Sequence, residues 1–153
     1  MKFRFVDKIV AWSPHSRIRG IKAVSFEEYC LKEAWGDEAR LPETLLLESF
    51  LQLGNWLIML STDFAECGMI VRLSEVCFEG SLRPGEQVEM EIAVVQRRDD
   101  GWELSGEGRV NGRTVIRGLG CLAIPVPVAD FFDPADLRVL FSEIFQPAEA
   151  VAP

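Results

Sequence analysis

The most informative pattern is one long apolar stretch in the first half of the chain, interrupted by polar residues at regular intervals. Between Leu45 and Leu60 nearly every side chain is apolar, which is typical of a helix buried around most of its circumference. The interrupting residues are spaced by four, four and three positions and so share one helix face; they are Thr44, Glu48, Gln52 and Asn55. A carboxylate in a core is costly unless it is paired, hydrated or protonated. Glu48 therefore predicts a compensating feature beside this helix, and a substrate channel is one candidate.

The ends of this helix follow from local signals. Pro42 can open the helix, because the N–H that proline lacks has no partner in the first turn. Glu43 then lies in the first turn, where a negative charge is favourable to the helix dipole. We expect the helix to end at about Ser61 or Thr62.

Strand patterns lie on both sides of the helix. Alternating apolar residues within Gln87–Gln96 (Val88, Met90, Ile92 and Val94) predict a half-buried strand. Asn111-Gly112 is a strong hairpin signal between two further strands. The complete set of predicted strands is Ile9–Trp12, Arg17–Val24, Met69–Phe78, Gln87–Gln96, Trp102–Val110 and Thr114–Pro125. Residues 25–41 lack a clear period and predict a loop, with a short helical turn at Phe26–Leu31.

The C-terminal tail has a different character. Asp133-Pro134 combines an N-cap residue with proline at the first helical position. An amphipathic helix is predicted at about residues 134–145, with Leu137, Leu140, Phe141 and Ile144 on one face. We therefore predict one α+β domain over residues 1–128 and a tail over residues 129–153. The long helix lies across the concave face of a curled antiparallel sheet, whose edge strands invite a second copy.

Charge and cysteine content narrow the classes of function. The net charge of −8 and the pI of about 4.7 disfavour nucleic acid and anionic membranes as partners. The polar interruptions of the apolar helix argue against a membrane span, and the N-terminal residues lack the apolar core of a signal peptide. Four cysteines without C-x-x-C spacing and a single histidine make a zinc site a poor interpretation. We expect a cytoplasmic protein without a metal or redox cofactor.

An ordered set of motifs resembles the hotdog-fold 3-hydroxyacyl-ACP dehydratases of the FabZ/FabA type, over roughly residues 5 to 125. The segment from Leu31 to Gly54 is similar, without a gap, to F-x-G-H-F-P-x-x-P-x-M-P-G-x-L-x-x-E-x-x-x-Q-x-G. Identical letters fall on Pro42, Leu45, Glu48, Gln52 and Gly54. The other matching segments are the opening Phe5–Val10, the hairpin Pro14–Lys22, and the turns Arg83–Gln87 and Val110–Val115. The resemblance implies a hotdog fold, a curled antiparallel sheet wrapped around one apolar central helix.

The resemblance also implies a site. In the family a histidine and a glutamate carry out the proton transfers of dehydration, and Glu48 matches that glutamate. Gln52 can orient Glu48 through an i to i+4 hydrogen bond. Ala34 falls on the histidine position, Trp35 on the neighbouring phenylalanine, and Glu43 on the glycine of the turn that polarises the thioester carbonyl. The expected substrate-binding residues are Ala34, Trp35, Leu41, Pro42, Glu43 and Leu45; Trp35, Leu41, Leu45 and Phe50 can equally be plain core.

Three other titratable residues are candidate substitutes for the absent histidine. His15 lies in the first hairpin turn, where a solvated turn residue is the favoured interpretation. Asp37 and Glu38 lie in the loop before the helix and can pair with Glu48 across a dimer interface, although a solvated loop charge is favoured.

Three hypotheses stay open. The first is the family reaction, dehydration of a 3-hydroxyacyl thioester, against which Ala34 counts. The second is a non-catalytic acyl-thioester-binding subunit that completes an active dehydratase. The third is a thioesterase that uses Glu48 alone.

The expected partners are an acyl thioester, an acyl carrier protein docking on arginines, and a second copy of the chain, with a heterodimer or a higher oligomer as alternatives. Chain length and the choice between carrier protein and coenzyme A stay open, as does the role of the C-terminal helix. The candidate docking arginines, which can equally be solvated strand residues, are Arg83, Arg97, Arg98, Arg109, Arg113 and Arg117.

Overall fold

Six strands surround one long helix in the computed structural model, which describes residues 4–28, 31 and 39–147. The elements in chain order are β1 (Lys8–Ser13), β2 (Arg17–Ala23), α1 (Glu43–Ser61), β3 (Glu66–Phe78), β4 (Gln87–Arg98), β5 (Gly101–Val110), β6 (Arg113–Pro127), a short 3-10 helix (Val128–Asp130) and α2 (Pro134–Ile144). The sheet order is β1-β2-β4-β5-β6-β3, and every neighbouring pair of strands is antiparallel. The predicted curled antiparallel sheet around a central helix is confirmed.

The helix α1 packs tightly against the sheet because small residues allow a close approach. Phe50, Leu53 and Leu57 are at most 1% exposed. A Cβ atom added at Gly54 would lie 2.9 Å from the Leu104 side chain, and one added at Gly118 would lie 2.7 Å from the Phe50 ring. The helix is long and apolar enough to cross a membrane by length and composition alone. Its burial against the sheet accounts for that apolar character.

The boundaries of α1 agree with the sequence signals. Pro42 precedes the first helical residue, and its carbonyl accepts the Leu46 N–H at 3.1 Å. At the other end the Thr62 hydroxyl donates to the Ile58 carbonyl at 3.0 Å and accepts the Glu66 N–H at 3.1 Å. Asp63 and Phe64 then adopt positive φ values of 50° and 62°. Two successive left-handed residues reverse the chain sharply from α1 into β3.

The predicted turn between β5 and β6 is confirmed, and the predicted end of β6 is corrected. Asn111 and Gly112 have φ values of 49° and 80°, as a type I′ turn requires, so the predicted hairpin is confirmed. The strand β6 continues to Pro127 instead of ending at Pro125. Pairing of β6 with β5 runs from Arg113 to Ala123, so the last residues of β6 pair with β3 alone. The missing N–H groups of the two prolines therefore cost no ladder bond towards β5.

The C-terminal segment forms a fixed cap over α1. The Asp133 carboxylate accepts the Ala135 N–H at 2.8 Å, which confirms the predicted N-cap of α2. The Arg138 guanidinium donates to the Asp63 carbonyl at 2.9 Å and lies over the Phe64 ring at 4.7 Å. An aromatic cluster then joins α2 to β1 and α1; its members are Trp12, Trp56, Phe64, Phe141 and Phe145. We call residues 128–146 the C-terminal cap.

The two edges of the sheet are treated differently. At β1, the Gln146 N–H donates to the Ile9 carbonyl at 2.9 Å, and Ile9 also forms a parallel bridge with Phe145. The cap therefore covers the β1 edge. In the part of the chain that the structure describes, no strand pairs with the outer side of β3, where Met69, Val71 and Leu73 are 45%, 51% and 37% exposed.

Candidate functional site

A cavity of about 620 Å³ lies between α1 and the C-terminal cap. Its floor is the polar stripe of α1 together with the apolar residues that follow it; the floor residues are Glu48, Gln52, Asn55, Trp56 and Met59. The N-terminal segment closes one side with Arg4 and Val6. The C-terminal cap forms the roof of the cavity; the roof residues are Phe131, Phe132, Asp133, Asp136, Leu137, Leu140 and Ile144. We call this space the cap cavity.

Glu48 is positioned by Gln52 along the floor of the cap cavity. The Gln52 amide nitrogen donates to a Glu48 carboxylate oxygen at 2.8 Å, the hydrogen bond that the spacing predicts. The Gln52 carbonyl oxygen accepts the Phe5 N–H at 3.0 Å. Since a backbone N–H can only donate, this second bond fixes the amide with its NH₂ group towards Glu48. The side chain of Gln52 therefore links the N-terminal segment to the carboxylate.

Glu48 is a hydrated carboxylate beside a cavity, not one enclosed in the core. Glu48 is exposed, whereas its neighbours Ser49 and Phe50 are 0% and 1% exposed. The polar face of α1 turns away from the sheet and towards the cap cavity, so solvent hydrates the carboxylate and no buried counter-charge is needed. Asn55 also lies on this face, and its side-chain oxygen accepts the Gly68 N–H at 2.8 Å, which fixes the beginning of β3 against α1.

The other predicted binding residues divide between a second cavity, the core and the undescribed loop. Leu41, Pro42 and Glu43 border a cavity of about 720 Å³ at the beginning of α1, which also includes Arg40, Thr44, Gly80 and Ser81. Leu45 is half-buried and packs against the core. Phe50, considered for an acyl tunnel, is a core residue in contact with the sheet. Ala34 and Trp35, like Asp37 and Glu38, lie outside the described residues.

The two cavities border neighbouring turns of the same helix. Thr44 borders the second cavity and Glu48 borders the cap cavity. These residues are four positions apart, which is about 6 Å along a helix axis. The Glu48 carboxylate therefore lies about one helical turn from the edge of the second cavity.

His15 cannot serve Glu48 within one subunit. Its backbone N–H donates to the Ser61 hydroxyl at 2.9 Å, which places the hairpin turn at the C-terminal end of α1. Ser61 lies thirteen residues after Glu48, or about 20 Å along the helix axis. The imidazole stacks on Trp102 with 5.6 Å between the ring centroids. His15 is an exposed residue of a structured turn, as the sequence favoured, and its ring rests on the sheet.

The sequence interpretation missed the residues that the cap brings to the site. Asp133 and Asp136, at the beginning of α2, border the same cavity as Glu48, and Arg4 borders it from the opposite side. The apolar face of α2 was a signal that this helix packs on something, but local periodicity does not identify the surface it covers. The structure thus adds two carboxylates from the tail to the lining of the cap cavity, at the end of α2 that lies by Asp63 and Ala65.

Two of the six candidate docking arginines, Arg109 and Arg117, lie among acidic neighbours. Arg109 forms an ion pair with Glu107, and Arg117 pairs with Glu79 at 3.2 Å. Glu107 also lies directly opposite Arg117 in the register of β5 and β6. This alternation is typical of the solvated outer face of a sheet, the alternative interpretation of these residues.

The described cysteines are poor nucleophiles. Burial raises the pKa of the Cys67 and Cys121 thiols. A hydrogen bond to the Glu75 carboxylate raises the pKa of Cys77. Since the thiolate is the reactive form, all three shifts disfavour covalent catalysis by cysteine. Glu48 is therefore the chemical group around which the site is best understood.

Comparison with known proteins shows the family of this chain. A family model described as the FabA-like domain matches residues 1–118. The 3-hydroxyacyl-[acyl-carrier-protein] dehydratase FabZ of Magnetococcus marinus is 29% identical over 113 residues, covering 72% of this chain and 74% of that protein. FabZ of Sorangium cellulosum is 27% identical over 116 residues, covering 74% of this chain and 75% of that protein.

Solved structures share the fold at low sequence identity. A hot-dog-like protein from Thermanaerovibrio acidaminovorans is 19% identical, with a TM-score of 0.61, covering 84% of this chain and 91% of that one. The dehydratase heterocomplex ApeI:P from Xenorhabdus doucetiae is 14% identical, with a TM-score of 0.60, covering 89% of this chain and 88% of that one. Both show the hotdog arrangement of sheet and central helix. With the family match over residues 1–118, the chain belongs to the FabA-like family of hotdog-fold proteins.

Proposed function

We propose that this protein is a FabZ-like homologue of the 3-hydroxyacyl-thioester dehydratases that acts on or binds acyl thioesters in fatty-acid or polyketide-type metabolism. The observation that carries the proposal is the Gln52 side chain, which donates to Glu48 at 2.8 Å while a backbone N–H fixes its orientation. A carboxylate held in one place beside a cavity is what proton transfer to or from a bound substrate requires.

The reaction requires two proton transfers. A base removes a proton from C2 of the 3-hydroxyacyl thioester, the C3–O bond breaks, and the hydroxyl group leaves as water after it gains a proton, giving the 2-enoyl thioester. In the family a histidine shares this work, and Ala34 takes its position here. We propose that Glu48 removes the C2 proton and that the same carboxyl group then protonates the leaving hydroxyl.

The assembly that supports this function is a cytoplasmic homodimer that receives its substrate on an acyl carrier protein. The uncovered edge of β3, with Met69, Val71 and Leu73 exposed, is the surface on which a second copy can continue the sheet. Antiparallel pairing of two β3 strands would bring the Glu66 end of one copy to the Phe78 end of the other. Each cap would then lie near the beginning of the partner's α1.

The second candidate is a non-catalytic subunit that binds an acyl thioester and completes an active dehydratase. Two substitutions favour it: Ala34 removes the family's histidine, and Glu43 replaces the glycine of the carbonyl-polarising turn. A dehydratase heterocomplex is among the structures that share this fold. The retention of Glu48 with its Gln52 hydrogen bond favours the enzyme instead.

A product assay separates these functions. The purified protein is incubated with 3-hydroxyacyl-ACP and enoyl-ACP, and the products are identified by mass spectrometry for the wild type, Glu48→Gln and Glu91→Gln. Glu91 is an exposed carboxylate on the outer face of the sheet, 3.6 Å from Arg19, and serves as the matched control. We expect interconversion of the two thioesters that falls about 100-fold or more in Glu48→Gln and is unchanged in Glu91→Gln.

The other outcomes identify the alternatives. Bound acyl-ACP without turnover would establish the non-catalytic subunit and overturn the enzyme. Release of free acid that depends on Glu48 would establish a thioesterase and overturn both the dehydratase and the non-catalytic subunit. Equal activity in Glu48→Gln and the wild type would remove Glu48 from the chemistry.

A further inference from the structure

The roof of the cap cavity lies outside the family match. The match ends at residue 118, and the cap begins at Val128. Every roof residue therefore belongs to the part of the chain that the family match does not reach. The cap is nevertheless fixed at both ends, by the Val128 N–H bond to the Ala65 carbonyl at 3.0 Å and by the Gln146 bond to Ile9 at 2.9 Å.

Apolar side chains face each other across this cavity. Trp56 and Met59 on α1 are 6% and 5% exposed, and Leu137 and Leu140 approach from α2. The floor runs from Glu48 to Met59, a distance of about 16 Å along α1. The volume of the cap cavity, about 620 Å³, is within the usual range for small-molecule sites. An aliphatic chain laid along this floor would have one end beside Glu48.

The charged residues that border the cap cavity favour a neutral apolar ligand over an anionic one. Three carboxylates border the cavity, those of Glu48, Asp133 and Asp136. Arg4 is the one cationic residue among the described lining residues, and its guanidinium lies 3.9 Å from the Glu143 carboxylate. The excess of negative charge disfavours a fatty-acid carboxylate or a phosphate inside the cavity. A neutral acyl chain joined to its carrier through a thioester meets no such repulsion.

We propose that the C-terminal cap forms an acyl-chain site of its own: the aliphatic chain of a neutral thioester lies between α1 and α2, and Leu140 sets the length of chain accepted. This inference rests on the proposed function, because it assigns a chain site to the acyl thioester whose reactive end lies beside Glu48. Leu140 is the specificity-determining residue because it is half-buried on the inner face of α2 and borders the cavity.

The test compares two tryptophan substitutions on adjacent residues of α2. Leu140→Trp fills the cavity, whereas Val139→Trp places the same ring on the outer face, where Val139 is 60% exposed. Binding of S-acyl-pantetheine thioesters from butanoyl to hexadecanoyl is measured by calorimetry on the full chain. In the wild type we expect affinity to rise about 4-fold for each methylene until the cavity is filled.

The expected result is a shorter optimal chain in one variant only. Leu140→Trp should lose about 10-fold or more in affinity for the long thioesters and keep its affinity for the butanoyl thioester. Val139→Trp should match the wild type within about 2-fold. Leu140→Ala, which enlarges the cavity, should shift the optimum to longer chains and gives a result even if the bulky variant does not fold.

Two results would overturn the cap site while leaving the proposed function in place: identical chain-length profiles in Leu140→Trp and Val139→Trp, or free hexadecanoate bound as tightly as the hexadecanoyl thioester. Absence of binding and turnover for every thioester in the wild type would overturn the proposed function as well. The two failures are therefore distinguishable.

Discussion

The two long faces of α1 are covered in different ways. Towards the sheet, Phe50, Leu53 and Leu57 are at most 1% exposed, and the contact at Gly54 leaves no room for another atom. Towards the cap, the same helix presents exposed Glu48 and half-buried Gln52 beside a cavity of about 620 Å³. Unfilled space and polar groups next to a core lower stability. The comparison indicates that the sheet face holds the fold together and the cap face provides the site.

The largest effect is expected when an aromatic side chain is truncated to alanine on the sheet face of α1, compared with one in the roof of the cap cavity. Phe50→Ala removes a ring that is 1% exposed and lies against Gly118, so we expect the free energy of unfolding to fall by about 3–5 kcal/mol. Phe131→Ala removes a roof residue that is 55% exposed, and about 1 kcal/mol or less is expected. Urea denaturation followed by circular dichroism measures both. Equal losses would contradict the division between a structural face and a functional face.

A smaller effect is expected where the cap joins α1. Phe141 is half-buried and stacks on Phe145 with 5.1 Å between the ring centroids, besides its contacts with Trp12, Trp56 and Phe64. Phe141→Ala should cost about 2 kcal/mol of stability, less than a fully buried ring. Amide hydrogen exchange should accelerate in residues 134–146 while the strands stay protected. Val139→Ala on the exposed face is the control. Equal acceleration in the strands and the cap would show that the cap does not open separately.

The difference between the two faces also explains what the sequence could predict. The sheet-facing pattern is local: the apolar run, the start at Pro42 and the Asn111-Gly112 turn each depend on a few neighbouring residues, and the structure contains all three features. The position of the cap depends on contacts between residues far apart in sequence. Arg138, for example, donates to the carbonyl of Asp63, which is seventy-five positions away. No local period contains that information.

The same reasoning applies to the candidate site. The stripe of Glu48, Gln52 and Asn55 follows from helical spacing, and these residues do line one cavity. The sequence predicted a compensating feature beside Glu48 without placing it, because an apolar run does not show which face the sheet leaves uncovered; in the structure this exposed carboxylate borders the cap cavity. Leu41, Pro42 and Glu43 border a different cavity from Glu48, which sequence order alone does not reveal. Asp133 and Asp136 reach the site only through tertiary packing.

The smallest expected effect separates two roles of a single cap residue. Asp133 caps α2 through the Ala135 N–H and also borders the cavity. Asp133→Ala should lower the free energy of unfolding by about 1 kcal/mol, whereas Asp133→Asn, an equally good N-cap, should leave it nearly unchanged. Both variants remove a negative charge from the cavity, so both should bind free hexadecanoate more tightly than the wild type in calorimetry. If the affinity for hexadecanoate follows the stability of the protein and not the charge at position 133, Asp133 acts on the site only as the N-cap of α2. The exclusion of anions then has another origin.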